Sequence, residues 1–225
     1  MTFSIVGRCE RTGAFGVAIT SSSPAVASRC AYVRAGVGAV ATQNVTDPSL
    51  GPALLDALES GLDGAAALRS VVESATHAEF RQLTMVDARG ARKAFSGERS
   101  LGINGAELGQ QCVAAGNMLA TIDVLSACAS AFDADPSLEI EERLLRALEA
   151  GLALGGEAGP VHSAGLLVAD EVPWPTTNLR VDWSGSPIED LRALWRLWAP
   201  QKVDYVTRAL DPTNSPSYGV PGDDR

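Results

Sequence analysis

The apolar positions near the start of the chain weakly follow the two-residue period of β-strands. Residues 2–7 and 14–20 are apolar or β-branched, and the segment between them contains the turn formers Thr12 and Gly13. This pattern predicts an N-terminal hairpin. Residues 36–42 combine glycine, alanine and valine and predict a third, buried strand.

Apolar residues at helical spacing follow in pairs of segments. Residues 52–60 place leucines on one face and end at Gly61, and Asp63 is in position to cap a second helix directly afterwards. A second pair is predicted over residues 122–132 and 139–152, the latter with a leucine stripe at the 3.6-residue period.

The remaining apolar segments complete the predicted order of elements. Strands are expected over residues 82–87, 92–96, 101–103, 111–114, 163–169 and 179–182, and an amphipathic helix over residues 187–198. Helices arrive in pairs rather than after every strand, which argues against a doubly wound parallel sheet. The order favours an α+β fold in which antiparallel sheets carry helix layers outside them. We expect one domain over residues 1–210 and an extended, proline-containing tail over residues 211–225.

Composition narrows the possible partners. Of the 225 residues, 46% are hydrophobic and 20% charged, which is typical of a globular domain. The formal net charge of −9 and the absence of a basic patch argue against nucleic acid and against an anionic membrane surface. No apolar run is long enough to span a bilayer.

The cysteines and histidines argue against a metal site or a bound cofactor. Neither the four cysteines nor the two histidines match a metal-binding spacing. The segment from Gly36 to Gly38 lacks the third glycine of a dinucleotide fingerprint, and no phosphate loop occurs. We therefore predict no metal and no cofactor. The cysteines are interpreted as buried, reduced thiols of a cytoplasmic protein: Cys9, Cys30, Cys112 and Cys128.

Thr2 is the strongest candidate for a nucleophile. Removal of Met1 would leave Thr2 with a free α-amine beside its own hydroxyl, and that amine can act as the base without any histidine. A retained Met1 would block the amine. The plainer interpretation is that Thr2 only begins a strand, where threonine is common.

Other polar residues stand where strands end and loops begin. Ser21 is an alternative nucleophile, since the hairpin returns it beside Thr2, although three serines before a proline also make an ordinary loop. Asn44 is a candidate for oxyanion stabilisation. Arg29 is a candidate to bind a carboxylate of the substrate, and the alternative is a surface ion pair. Further candidate substrate-binding residues share a position next to strand ends or turns, each with a structural alternative: Ser22, Thr42, Gln43, Asn117, Glu157 and His162.

Several segments together resemble one protein family. The opening Thr2-Phe3-Ser4-Ile5-Val6, the run from Arg34 to Gln43 with Asp47-Pro48-Ser49, Gly116-Asn117-Met118-Leu119 and the pair Gly155-Gly156 are similar to the domain-of-unknown-function 1028 family. The resemblance covers roughly residues 2 to 200 and is most specific from Arg34 to Gly51. It implies a four-layer αββα sandwich of the N-terminal-nucleophile hydrolase type, and with it amide-bond hydrolysis. The chain departs from the family between Glu157 and His162, where an arginine is absent and His162 replaces a glutamine.

Two functions of different class are consistent with these residues. The first is an amidohydrolase acting on a small amide or peptide-like substrate, with its nucleophile at Thr2 or among the serines 21–23. The alternative is a non-catalytic small-molecule-binding or structural protein that retains the fold. We also expect a homo-oligomer, because tryptophans cluster late in the chain and aromatic residues often anchor interfaces: Trp174, Trp183, Trp195 and Trp198.

Overall fold

Two antiparallel sheets stack face to face in the computed structural model, which describes residues 1–223. One sheet has the strand order β10-β9-β2-β1-β8-β7 and the other β3-β4-β5-β6. The strands are β1 (Thr2–Arg8), β2 (Phe15–Ser21), β3 (Ala31–Arg34), β4 (Gly38–Asn44), β5 (Arg81–Asp87), β6 (Arg92–Ser96), β7 (Gly105–Leu108), β8 (Cys112–Asn117), β9 (Ser163–Ala169) and β10 (Thr177–Val181).

Helices cover the outer face of each sheet. Their bounds are α1 (Ala27–Cys30), α2 (Leu50–Glu59), α3 (Gly64–Ser74), α4 (Asp123–Asp133), α5 (Ile140–Ala153), α6 (Pro187–Trp198) and α7 (Lys202–Leu210). The apolar faces of α4, α5 and α6 pack on the six-stranded sheet, and those of α2 and α3 pack on the four-stranded one. The four-layer αββα sandwich predicted above is therefore confirmed. None of the helices described in residues 1–223 is long and apolar enough to cross a membrane.

The alternation of side chains along β1 separates two environments. Phe3 and Ile5 point outward into the core beneath the helices, whereas Val6 lies in the layer between the sheets. By the same alternation Thr2 and Ser4 face that inner layer. The inner layer is thus apolar around Val6 and becomes polar toward the end of the sandwich that holds Thr2.

Two predicted strand positions need correction, and three observed elements have no counterpart in the prediction. Residues 101–103 form no strand, with bends at residues 102 and 103, and the edge strand β7 begins at Gly105. The third strand begins at Gly38 rather than at residue 36, because Gly36 adopts a left-handed turn conformation with φ of 71°. The elements α1, β3 and α7 were not predicted from the sequence. The first two have only four residues each, and α7 buries none of its side chains, so hydrophobic periodicity gives little signal for any of them.

The segment after α7 packs back on that helix. The Arg208 guanidinium donates to the backbone carbonyls of Pro216 and Ser217 and lies 4.0 Å from the centre of the Tyr218 ring. Regular helix and strand are absent from residues 211–223. The extended tail predicted for residues 211–225 thus docks on its own chain through its described part, and its last two residues lie outside the described residues.

Gly7 in β1 is expected to tolerate no side chain. A Cβ atom placed there would lie 2.4 Å from Cζ of Phe132, a ring that is fully buried and held under the Arg143 guanidinium. We expect Gly7→Ala to lower the free energy of unfolding by about 1–3 kcal/mol through overpacking. Urea denaturation measures the loss. The control is Gly185→Ala, where nothing lies within 4 Å of the added atom, and equal stability of the two variants would contradict the prediction.

Candidate functional site

Thr2 lies at the end of a central strand, with its side chain at the polar end of the inner layer. It pairs with Ser21 of β2 on one side and with Asn117 of β8 on the other. Residues paired across antiparallel strands share a face, so these three side chains meet. Thr2 is only 6% exposed. The structure therefore brings together three of the predicted site residues, of which Asn117 lies more than ninety positions from the other two in the sequence.

Hydroxyl groups cluster around the peptide bond that precedes Thr2. The Oγ1 of Thr2 and the Oγ of Ser21 each lie 2.5 Å from the carbonyl oxygen of Met1 and donate to it, and 3.3 Å separates the two hydroxyl oxygens. The Oγ of Ser23 lies 2.8 Å from that of Ser21. A carbonyl placed beside Thr2 thus meets two hydroxyl donors.

Arg29 sits behind this cluster rather than in it. Its guanidinium donates to the Oγ of Ser23 at 2.7 Å and to the backbone carbonyls of Pro24 and Ala25 at 2.6 and 3.0 Å. Arg29 therefore holds the loop after β2 in place, and within the described residues it forms no ion pair with a carboxylate, contrary to the surface alternative considered from the sequence.

Glu157 brings a carboxylate to the same end of the sandwich. It follows Gly155 and Gly156, which both have positive φ, and it forms an isolated β-bridge with Leu119. The side chain is 3% exposed. Its Oε2 accepts a hydrogen bond from the backbone N–H of Ser22 at 3.2 Å, while its buried Oε1 has no hydrogen-bond partner among the described residues.

Burial determines the protonation of Glu157. Desolvation raises the pKa of its carboxyl to about 7, and the nearby α-ammonium of Met1 and the Ser22 N–H oppose that shift. A buried carboxylate with one unpartnered oxygen is costly. The group is therefore poised to accept a hydrogen bond or a positive charge.

A buried network of amides backs the hydroxyl cluster. The Oγ of Ser4 donates to Oε1 of Gln43 at 2.7 Å, and Nε2 of Gln43 donates to Oε1 of Gln82 at 2.8 Å. Nδ2 of Asn117 donates to the same Gln82 oxygen at 3.3 Å, and Gln82 in turn donates to Ser96 and to two backbone carbonyls. This network links the two sheets and fixes the side chain of Asn117 beside Thr2.

Three other predicted residues lie apart from the hydroxyl cluster. Thr42 donates to the carbonyl of Asp47 and holds the loop after β4. Asn44, with φ of 72°, donates to the Phe80 carbonyl and accepts from Leu101 N–H. His162 donates its backbone N–H to the Ser21 carbonyl, but its ring stacks on Trp183 at 4.4 Å. No described hydrogen bond joins these three side chains to Thr2.

Sequence reasoning missed the residues that connect the site to the second sheet. Ser4 and Gln82 were not among the candidates. The signal for Ser4 was its two-residue spacing from Thr2, which places both hydroxyls on one face of β1. Nothing around Gln82 in the sequence marks its partners, so only the pairing between strands distant in sequence shows what it contacts.

The raised pKa of Glu157 makes stability depend on pH. An unfolded glutamate titrates near its ordinary pKa of 4.5, whereas the folded group titrates at about 7. The folded state binds the extra proton between these values, so its stabilisation is complete below the unfolded pKa and is lost as pH rises through the folded pKa.

We expect Glu157→Gln to remove this dependence. In the unmodified chain the free energy of unfolding should fall between pH 4.5 and about 7, by on the order of 3 kcal/mol at most. The variant should be the more stable protein above that range. Denaturant unfolding at a series of pH values measures both curves, and parallel curves would show that Glu157 titrates normally.

The site offers nucleophilic and acid–base groups. Among the described residues, no group of three His, Cys, Asp or Glu side chains is placed to hold a metal ion. The four cysteines are free and buried, as predicted. What converges at the polar end is a pair of hydroxyls, an amide and a carboxyl group, all near a chain terminus.

Comparisons with known proteins give a family and a similar solved structure. The model of the family of unknown function DUF1028 matches residues 2–191. The crystal structure of a DUF1028 protein from Silicibacter pomeroyi is 31% identical, with a TM-score of 0.81, over 87% of this chain and 88% of that one.

More distant structures show weak similarity. Anbu, the ancestral β-subunit, from Yersinia bercovieri is 10% identical with a TM-score of 0.41, over 92% of this chain and 97% of that one. An Anbu mutant from Hyphomicrobium is 11% identical with a TM-score of 0.43, over 90% and 97%. No curated protein matches the chain significantly. The family match spans most of the chain and agrees with the similar crystal structure, so the chain belongs to the DUF1028 family.

Proposed function

We propose that this protein is an amidohydrolase of the N-terminal-nucleophile type, acting on a small amide or peptide-like substrate with Thr2 as its nucleophile. The observation that carries the proposal is the placement of the Thr2 hydroxyl, buried at the end of a central strand beside Ser21, Asn117 and the chain terminus. The proposal requires Thr2 to be the first residue of the mature protein.

The reaction follows from the groups at this position. The α-amine of Thr2 takes the proton of its own hydroxyl, and the oxygen attacks the carbonyl carbon of the amide. The C–N bond breaks, and the leaving amine departs with the proton that the α-amine had accepted. Water then hydrolyses the ester, which releases the carboxylic acid and restores the hydroxyl of Thr2.

Ser21 is suited to stabilise the negative charge of the tetrahedral intermediate. Its hydroxyl already donates to a carbonyl oxygen next to Thr2, that of Met1. A positioned donor at this point stabilises an oxyanion more than a neutral carbonyl. Asn44, considered for this role from the sequence, has its amide committed to Phe80 and Leu101, so the geometry favours Ser21.

Mass spectrometry combined with covalent labelling tests the proposal. The chain is produced without a tag ahead of Met1, its intact mass is measured, and it is treated with an acylating electrophile before peptide mapping. We expect a chain that lacks Met1 and carries the label on Thr2. A label within the serines 21–23 would move the nucleophile to that loop, and complete retention of Met1 in native protein would exclude Thr2.

One observation favours the alternative of a binding protein without catalysis. With Met1 in place, its carbonyl occupies both hydroxyl donors, and Thr2 has no free amine. A chain that keeps Met1 would retain the polar layer and Glu157 but could bind a ligand only without turnover. The same mass measurement separates the two functions.

Location and assembly remain predictions. Free, buried cysteines support the proposed cytoplasmic location. Of the tryptophans on which the homo-oligomer was predicted, Trp195 is buried and Trp198 packs on the core, whereas Trp183 is 61% exposed. Light scattering on the purified protein measures the oligomeric state, and a monomer across micromolar concentrations would contradict the prediction.

A further inference from the structure

We infer that this site takes aminoacyl substrates, in which a free α-ammonium group is attached to the carbon bearing the scissile carbonyl, and that Glu157 recognises that ammonium group. The inference rests on the proposed function and names its substrate class. It is carried by the position of Met1, by the unpartnered oxygen of Glu157 and by the run of the Met1 side chain over Gly159.

Met1 occupies the site as a covalent stand-in for such a substrate. Its carbonyl oxygen accepts hydrogen bonds from the hydroxyls of Thr2 and Ser21, both at 2.5 Å. The carbonyl is bonded to the Thr2 nitrogen, whereas a substrate acyl group would be bonded to the neighbouring Thr2 oxygen. Because Met1 is partly buried over the nearly buried Thr2, its removal leaves a space that fits one amino acid residue.

Glu157 provides the charge that an ammonium group requires. Its side chain is 3% exposed, Oε2 is held by Ser22 N–H, and Oε1 has no partner among the described residues. The α-ammonium of Met1 is near enough to act on this carboxyl electrostatically, although the two do not form a direct ion pair within the described structure. A substrate that brings its own ammonium group to Oε1 would replace that interaction and satisfy the oxygen.

The side chain of Met1 indicates the space for the side chain of the substrate. A Cβ atom placed on Gly159 would lie 3.0 Å from Cε and 3.7 Å from Sδ of Met1. The methionine side chain therefore runs directly over a residue that has no side chain of its own. An unbranched apolar side chain of similar length fits this space.

The arginine behind the hydroxyl cluster does not favour an acidic substrate. The Arg29 guanidinium already donates hydrogen bonds to Ser23 and to the backbone carbonyls of Pro24 and Ala25. A carboxylate in the place of the Met1 α-ammonium would face the buried carboxyl group of Glu157. The negative charge of Glu157 therefore favours substrates with a free amine over substrates with a carboxylate at this place.

The test compares L-methionine 4-nitroanilide with its N-acetyl derivative on the Met1-free protein, in which release of 4-nitroaniline is followed. We expect kcat/KM to be at least about 10-fold higher for the free amine, because acetylation removes the charge that Glu157 needs. Glu157→Gln should lower kcat/KM for the free amine by about 10-fold or more, mainly through KM. The same variant should leave the acetylated substrate within about 3-fold.

A second variant keeps the test independent of the folding of the Glu157 variant. Gly159→Val fills the space over which the Met1 side chain runs, so it should lower kcat/KM for the methionine substrate and spare the glycine and alanine 4-nitroanilides. Gly159 does not have a positive φ, so valine imposes no left-handed strain there.

The outcomes separate the inference from the proposed function. Equal or faster hydrolysis of the acetylated substrate would overturn the inference and leave the hydrolase standing. Labelling of Thr2 by the electrophile without hydrolysis of either substrate would also overturn it. Failure of both labelling and hydrolysis in protein that lacks Met1 would remove the proposed function, and the inference with it.

Discussion

Thr2→Ala is expected to abolish amide hydrolysis and covalent labelling in protein that lacks Met1. The variant loses the only oxygen that the proposed reaction uses as nucleophile, so kcat should fall by about 10³-fold or more. The fold should persist, because the backbone of Thr2 pairs with both Ser21 and Asn117 whatever its side chain. Initial rates and intact mass after electrophile treatment measure the effect.

Thr2→Ser provides the matched control. Serine keeps a hydroxyl at the same position, and serine and alanine are both small enough to permit removal of the preceding methionine. The serine variant should therefore take up the label on residue 2 and retain measurable turnover. An alanine variant that hydrolyses amides as fast as the serine variant would place the nucleophile outside Thr2.

Gln82→Ala is expected to be the most destabilising single change in the polar layer. Gln82 is fully buried, accepts from the amides of Gln43 and Asn117, and donates to Ser96 and the backbone of the neighbouring sheet. Truncation leaves several buried donors and acceptors without partners and opens a cavity. We expect the free energy of unfolding to fall by about 3 kcal/mol or more.

Thermal and urea denaturation measure this loss of stability, and Gln201→Ala is the control variant. Gln201 is exposed and bonds only to the carbonyl of Leu197 one turn earlier, so its truncation should cost about 0.5 kcal/mol or less. If the two variants were equally stable, the amide network would not connect the sheets energetically. The loss at Gln82 should also free the side chain of Asn117 and slow any reaction at Thr2.

The local pattern of apolar, polar and turn-forming residues was sufficient to predict most of the fold. The hairpin of β1 and β2 follows from apolar, β-branched segments around a turn, and the pairing of helices indicated sheets with helices outside. The short elements α1 and β3 were not predicted because four residues are too few to show a helical or strand pattern of apolar positions. Helix α7 was not predicted because its contacts are made by side chains that remain partly exposed.

The candidate site was predictable only where residues were close in the chain or on paired strands. Thr2 and Ser21 meet because a hairpin returns the second strand beside the first. Asn117 and Glu157 were singled out with turn chemistry as their alternative, and only the position of β8 beside β1 brings Asn117 to Thr2. Asn44 and Gln43 are adjacent in sequence, yet the left-handed backbone of Asn44 ends the strand there, and only Gln43 joins the inner layer.

If Met1 is removed, as the proposed function requires, its position in the fold limits when the removal can occur. Once β1 has paired with both of its neighbours, Thr2 is 6% exposed and the bond before it lies against the Ser21 hydroxyl. Because a peptidase needs an extended, accessible terminus, we expect the removal to occur on the nascent chain, before that strand docks. Folding and trimming therefore compete in time. A variant that folds faster would accumulate as an intact, inert species with an unchanged structure, and slower synthesis or added peptidase would restore the trimmed form.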